Sequence, residues 1–343
     1  MKIVVDAMGT DNRPGPDVEG AVLAAREWGT HVILVGDEKL VRAEIDKHNT
    51  AGLPLEVVHA SDIITMEDKP SAVGKGKPNS SMHVGMQLVA DGAADAFITM
   101  GNTGAAQAIA MLFTLRRIKG VKRPALSVIF HINDRPIIFL DIGANADSRP
   151  EWLGQFAIMG SIYAQNALGI TSPKVGLLSN GEEEGKGTNL IREANALISQ
   201  TNVVNFAGNV EPKEVLDGQV DVVLSDGFTG NILIKTFEAT AHYLAKMIRD
   251  EIKANPVTMV GGALVRPAMK RVARKMDTFE IGGAPLLGVQ GVVLIGHGSS
   301  TGFAVKNAVH QATLAVNGRI IESITEQLAN AASPEPTKDS VQQ

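Results

Sequence analysis

The sequence predicts an α/β fold: a mostly parallel sheet with helices on both faces. Three observations carry this expectation. Short β-branched runs alternate with helix-length segments from one end of the chain to the other, the pattern of strand–crossover–strand units. Several of the runs are apolar throughout, as strands covered on both faces must be. The runs also end repeatedly in glycine-rich polar turns that open the next helical segment.

Taken in order, the strands are expected at Ile3–Asp6, His31–Val35, Leu55–His59, Ala96–Met100, Ser127–Ile132, Ile137–Leu140, Lys174–Leu178, Val203–Phe206, Asp221–Leu224 and Val292–Ile295. Between them, helices are expected at Asp17–Trp28, Ser80–Asp91, Thr103–Arg117, Trp152–Leu168, Thr188–Ser199 and Ala304–Val316. No internal repeat is visible. The reading is one α/β catalytic domain over residues 1–330, with 256–277 a basic amphipathic helical segment within it. The tail 331–343 is rich in Pro, Ser and charge and is expected to be disordered.

Composition narrows the chemistry. With 343 residues, 44% hydrophobic and 20% charged, the chain has the profile of an ordinary globular protein. It has no cysteine, which removes disulfides, thiolate metal sites and a cysteine nucleophile. A net charge of −5 argues against a general nucleic-acid binder, though not against a local basic patch. Met1 runs straight into Lys2-Ile3-Val4-Val5-Asp6, a strand and not a secretory leader. No apolar run approaches the ~18 residues of a membrane span. The expectation is a cytosolic protein able to touch a membrane surface.

The strand-end turns are the main functional signal. They are Asp6-Ala7-Met8-Gly9-Thr10-Asp11, Gly101-Asn102-Thr103-Gly104, Asp141-Ile142-Gly143-Ala144-Asn145, Asn180-Gly181-Glu182, Asp226-Gly227-Phe228-Thr229-Gly230-Asn231 and Gly296-His297-Gly298-Ser299-Ser300. In an open α/β sheet the ligand sits outside the carboxyl ends of the strands. Glycine lets backbone N–H groups approach an anion, and helix N-termini add partial positive charge. Turns of this kind converging on one sheet edge predict a phosphate or another oxyanion.

Individual motifs are weaker. Gly181 to Gly187 imitates a Walker A loop but is a residue short, and Gly187 stands where Ser or Thr would hold magnesium. Lys186, between Gly185 and Gly187, either holds a phosphate or sits on a solvated acidic turn. Gly298-Ser299-Ser300-Thr301-Gly302 matches the pattern of a nucleophile elbow, but only His310 follows it, so a backbone anion nest is the better reading. The eight histidines are scattered without metal-ligand spacing, so no metal and no cofactor is expected. His297 is either an acid–base group or a hydrogen bond across its turn. Pro256–Asp277 interleaves Val260, Leu264 and other apolar residues with Arg266, Lys270, Arg271 and Arg274. Such a segment lies on anionic membranes, binds acidic partners, or forms a subunit interface with a solvated basic face. Arg116, Arg117, Lys119, Lys122 and Arg123 form a second basic cluster, either a docking patch or a basic helix C-terminus.

Taken together, the six turns and Pro285-Leu286-Leu287-Gly288 resemble the PlsX phosphate acyltransferases, in the family's order and from Met1 to about Leu328. Thr10 stands where typical members have a second glycine, and the histidine common near Asn12 is absent. The resemblance implies a fold similar to the isocitrate/isopropylmalate dehydrogenase and phosphotransacetylase group, and a homodimer. It implies a reaction in which long-chain acyl-acyl carrier protein and inorganic phosphate give acyl phosphate and free carrier. The product would feed a membrane glycerol-3-phosphate acyltransferase in phospholipid synthesis, with peripheral attachment to the anionic inner face of the plasma membrane. Under that reaction no cysteine is needed, because phosphate attacks the thioester itself. Lys186 is then expected to meet the phosphate charge and Asn231 to donate to phosphate or oxyanion. Asp6 and His297 would manage protons. Gly101, Asn102, Thr103, Gly104, Asn145, Gly185, Gly187, Gly230, Gly298, Ser299 and Ser300 would cradle the anion. The rival readings are a phosphate acetyl- or butyryltransferase using acyl-coenzyme A, an NAD- and metal-dependent decarboxylating dehydrogenase, and a non-catalytic membrane scaffold.

Overall fold

The computed structural model describes residues 1–132, 134–275 and 282–332. A single eleven-stranded sheet runs through it, in the order β3-β2-β1-β4-β11-β10-β5-β6-β9-β7-β8. The strands are β1 (Lys2–Asp6), β2 (His31–Gly36), β3 (Leu55–His59), β4 (Ala96–Thr99), β5 (Ala125–Ile132), β6 (Arg135–Leu140), β7 (Lys174–Leu178), β8 (Asn205–Val210), β9 (Val222–Leu224), β10 (Ala284–Leu287) and β11 (Val292–Ile295). The helices are α1 (Gly15–Trp28), α2 (Glu38–Ile45), α3 (Pro70–Gly76), α4 (Ser81–Ala90), α5 (Thr103–Leu112), α6 (Pro150–Asn166), α7 (Asn189–Ser199), α8 (Pro212–Leu216), α9 (Gly227–Ile252), α10 (Pro256–Lys275), α11 (Gly302–Asn317) and α12 (Ile320–Ala332).

The period-two geometry of strands distributes the core over two layers. β1 shows it: Ile3 and Val5 join the layer of α1, α6 and α11, while Val4 faces Met82, Met86 and Ile109 of α4 and α5. Helix starts follow local chemistry. Asp37, Ser80, Asn102, Thr188, Asp226 and Thr301 each accept a hydrogen bond from an N–H in the first turn of the helix they precede.

Sheet direction alters the reading from sequence. β3, β2, β1, β4 and β11 form one parallel block. β6, β9, β7 and β8 form another. Between them the pairs β11–β10, β10–β5 and β5–β6 are all antiparallel. Three reversals leave the two blocks pointing in opposite directions. The glycine turns therefore do not share one edge: those after β1, β4 and β11 leave one side of the sheet, and those after β6, β7 and β9 leave the other. The blocks meet over β5 and β10.

Several elements differ from expectation. β10 was not anticipated, because it is four residues long and contains Pro285; the Pro285 carbonyl accepts from Ser127 Oγ at 2.9 Å. β8 lies later than Val203–Phe206, and its ladder with β7 slips a residue at Val175/Gly176. α5 stops at Leu112 and not at Arg117, where Arg116 turns to φ 67° and its guanidinium reaches back to the Leu112 carbonyl. The basic run 116–123 is thus a loop and not a helix end. α9 was anticipated only as a helix opened by the Asp226–Asn231 turn, without bounds; α12 was not anticipated, and it carries residues 331 and 332 of the supposed tail. α10 is continuous through Gly261-Gly262 and Pro267; proline costs the helix one backbone bond there but does not end it. The side chain of Arg274 and the tail from 333 onward lie outside the described residues.

Candidate active site

A cleft of about 720 Å³ opens over β5 and β10, where the two blocks meet. Thr103, Gly104, Gly296, His297 and Ser300 reach it from the first block, and Gly143 and Asn231 from the second. Leu126, Val128 and Ala284 contribute its strand surface.

The second block's contribution is built around one carboxylate. Asp141, buried at the end of β6, accepts from the N–H groups of Leu126 (3.1 Å), Gly143 (3.1 Å), Ala144 (2.9 Å) and Asn145 (2.7 Å), and from Asn145 Nδ2 (2.8 Å). Burial raises its pKa against the effect of these bonds. The clamp fixes a turn in which Gly143 adopts φ 144°, a conformation that favours glycine. α9 starts against this turn. Asp226 Oδ1 accepts from Thr229 N at 2.8 Å, and Gly230 packs so close to the Asp141 carbonyl that no side chain fits between them. That contact delivers Asn231 beside Gly143, where its Nδ2 would stand 3.3 Å from any β-carbon placed on the glycine.

The first block supplies helix N-termini. Thr103 and Gly104 are the first turn of α5, where N–H groups lack partners within the helix and attract anions. Ser300 lies just before α11; its Oγ is buried and has no hydrogen-bond partner among the described residues. A buried hydroxyl on a cleft wall is costly unless something bonds it. His297 Nδ1 lies 2.8 Å from Ser299 Oγ and accepts from Ser299 N at 3.3 Å, which puts the neutral ring's proton on Nε2. The hydrogen bond across the turn and the place in the cleft are therefore both real.

Other predicted site residues form the framework. Asp6 is buried, accepting from Thr99 Oγ1 (2.7 Å) and Met8 N (3.0 Å), with its pKa raised by burial. Asn102 caps Ala105 and donates to the carbonyls of Thr65, Met66 and Asp68. Asn145 spends its amide on Pro124 O and Asp141. Their polar groups hold turns in place instead of lining the cleft. Gly101, Gly230 and Gly298 are buried beside them. Gly185, Lys186 and Gly187 lie on the turn after β7, two strands along from β6, and are not part of the cleft lining.

Sequence reasoning missed the wall of the cleft. Only Asn231 was read from sequence; Lys235, Glu238 and His242 follow it at helical spacing along α9 and also line the cleft. Lys235 pairs with Glu238 at 3.1 Å. The signal was present, since Asp226 is a helix cap and the period continues from Asn231. Among the described residues no group of three or more His, Asp or Glu could hold a metal ion.

Fold and cleft define the class first. The structure is similar to a phosphotransacetylase from Streptococcus pyogenes, with a TM-score of 0.59 at 19% identity and 94% of each chain covered; at that identity the likeness establishes the fold. The fatty acid synthesis protein family model matches residues 1–323, so the chain belongs to that family, and the resemblance to the PlsX group is borne out. Two curated relatives share the name phosphate acyltransferase. One, from Trichlorobacter lovleyi, is 44% identical over 330 residues, covering 95% of each chain. The other, from Pelobacter propionicus, is 45% identical over 329 residues, covering 96% of this chain and 94% of its own.

Proposed function

We infer that the protein is a phosphate acyltransferase that converts long-chain acyl-acyl carrier protein and inorganic phosphate to acyl phosphate and free carrier, for phospholipid synthesis. The observation that carries this reading, beside family membership, is the cleft: a helix N-terminus, an unpartnered buried hydroxyl and a positioned amide meet in one volume, with no cysteine in the chain. Phosphate lies against the first turn of α5 and Ser300 Oγ. One of its oxygens attacks the thioester carbonyl, forming the C–O bond. The resulting oxyanion is stabilised by donors fixed beforehand, Asn231 Nδ2 foremost. Collapse breaks the C–S bond, and the leaving thiolate takes the proton that hydrogen phosphate gives up on becoming acyl phosphate, relayed through His297 or water. Lys235 is the one lysine or arginine among the described residues lining the cleft. Lys186, flanked by Gly185 and Gly187, captures the anion on its approach, and Asp6, Asn102 and Asn145 keep the turns in shape.

The acidic carrier docks on a basic hollow of about 860 Å³ lined by Arg116, Arg117, Lys119, Lys122, Arg123 and Arg149. Arg117 donates to the Lys122 carbonyl at 2.5 Å and Arg123 stacks over Trp152 at 5.2 Å, so the loop is held open. Met111 and Leu112 at the far end of α5 belong to the same hollow. A ten-residue helix is ~15 Å long, a span that the carrier's pantetheine arm bridges to reach the cleft.

The hairpin of α9 and α10 is assigned to homodimer formation and to an anionic membrane. Val260 and Leu264 are 66% and 79% exposed, and Arg266, Lys270 and Arg271 are exposed on the same helix. No described helix is long and apolar enough to cross a membrane. The reading puts the protein in the cytoplasm, peripherally on the inner face of the plasma membrane, where its product would pass to a membrane glycerol-3-phosphate acyltransferase; the exposed apolar and basic residues of α10 support it. The test is phosphate-dependent release of carrier thiol from palmitoyl-acyl carrier protein, with acetyl-coenzyme A in parallel. Release that needs phosphate and prefers the long-chain carrier is expected. Release from the coenzyme A donor alone would overturn the assignment.

A further inference from the structure

The geometry points to an acyl-chain groove that continues the cleft beneath α9, along the even-numbered face of β5. Leu126 and Val128 line the cleft, and the next residues on that face, Phe130 and Ile132, line a second, wholly apolar recess. The two volumes share Ile234. α9 roofs both: Asn231, Lys235 and Glu238 line the cleft, while Leu233 and Phe237 line the recess. α8 closes the far side with Val215 and Leu216. Edge-on contacts from Phe130 to Phe139 (5.5 Å) and to Phe237 (5.4 Å) shape it.

This proposal rests on the acyltransferase reading and names the place of the chain. The occupant is a saturated acyl chain. The recess offers no charged or amide side chain among its lining residues, so it rewards only methylenes. Because Ile234 borders both volumes and the same face of β5 floors both, a chain lying in the recess has its near end beside Asn231. From Leu126 to Ile132 is six residues of strand, ~20 Å, the reach of a long extended chain. The free volume of the recess is about 50 Å³, so the chain's far end enters by displacing rim side chains, of which Leu216 is already 46% exposed.

Chain-length selectivity tests it. Each methylene pushed back into water costs roughly a factor of four. Leu216→Trp fills the rim, and the ratio of kcat/KM for palmitoyl- over octanoyl-acyl carrier protein is expected to fall at least tenfold. Phe237→Ala widens the recess and is expected to move the preference towards chains longer than palmitoyl. Binding of cis-parinaric acid, displaced by palmitate, should weaken about tenfold in Leu216→Trp. If wild-type protein turns over no donor yet binds the probe in this Leu216-dependent way, the groove stands and the acyltransferase reading falls. If wild-type protein turns over the palmitoyl donor while both variants keep its length preference and probe affinity, the groove is overturned. A change in sedimentation behaviour of Leu216→Trp with unchanged selectivity would overturn it equally, making the recess an interface between copies.

Discussion

Two glycine turns look alike in sequence and differ in place. Gly296-His297-Gly298-Ser299-Ser300 follows β11, and Gly181 to Gly187 follows β7; both end a strand and precede a helix. Lys186 made the second the stronger phosphate candidate on side-chain chemistry alone. In the folded chain the β11 turn brings a buried, unpartnered hydroxyl to the cleft, whereas the β7 turn is exposed and outside it. The difference lies in strand direction and order, because a turn's composition says what it can bind while the topology decides whether it meets the other turns.

The sharpest test of that difference is on the second block's contribution. Asn231→Ala removes the amide delivered beside Gly143, and kcat for the palmitoyl donor is expected to fall about 10²–10³-fold, the usual loss for one oxyanion donor. Thermal unfolding should stay within about 1–2 °C of wild type, since Asn231 is exposed and its amide lies against the Gly143 turn. A fall below tenfold would move the oxyanion site elsewhere. Ser300→Ala comes next: it removes a hydroxyl without leaving a partner unbonded, and KM for phosphate is expected to rise about tenfold. An unchanged phosphate KM would separate Ser300 from the anion.

Outside the cleft the effects should be smaller. Leu264→Asp places a charge on the exposed ridge of α10, and flotation with anionic vesicles is expected to weaken about tenfold, the scale of one large apolar side chain kept in water. Unaltered flotation would leave the hairpin to the subunit interface. Lys186→Ala closes the comparison of the two turns. It is expected to lower kcat/KM only about threefold, more at low salt than at high, because an exposed cation steers by screened attraction. A hundredfold fall in kcat would instead bring the β7 turn into the chemistry and refute the distinction drawn here.

Much of this arrangement was legible without coordinates. Lys174–Leu178, Leu55–His59 and Val292–Ile295 are strands with the expected bounds, since apolar β-branched runs closed by turn residues carry their own signal. The cleft residues Asn231, His297, Ser300, Thr103 and Gly104 were legible as turn residues. Three reversals between the blocks were not, because β10 is too short and its proline reads as a turn. Lys235 was missed because α9 continues a motif that appeared to end at Asn231. Asn102 and Asn145 were read as ligands because an asparagine in a glycine turn looks the same whether it holds a phosphate or the backbone.

The smallest effect concerns Thr10, the departure from the family pattern. Its Oγ1 donates to Asp17 Oδ2 at 2.6 Å, in a buried site on α1 where the other carboxylate oxygen has no partner. Burial, with the nearby Asp6 adding to it, pushes the Asp17 carboxyl well above the ordinary range. The native state therefore keeps a proton that the unfolded chain gives up near pH ~3.9. Stability from this group is complete below that pH and is lost as pH rises through the folded-state pKa. Asp17→Asn keeps an acceptor for Thr10 and has no proton to lose. Its melting temperature is expected to exceed wild type by about 2 °C or more at pH 8, with the gap narrowing towards pH 4. Asp141 titrates in both proteins and cancels in the difference. A gap that does not vary between pH 4 and pH 8 would mean that folding does not raise the Asp17 carboxyl above its unfolded-state value.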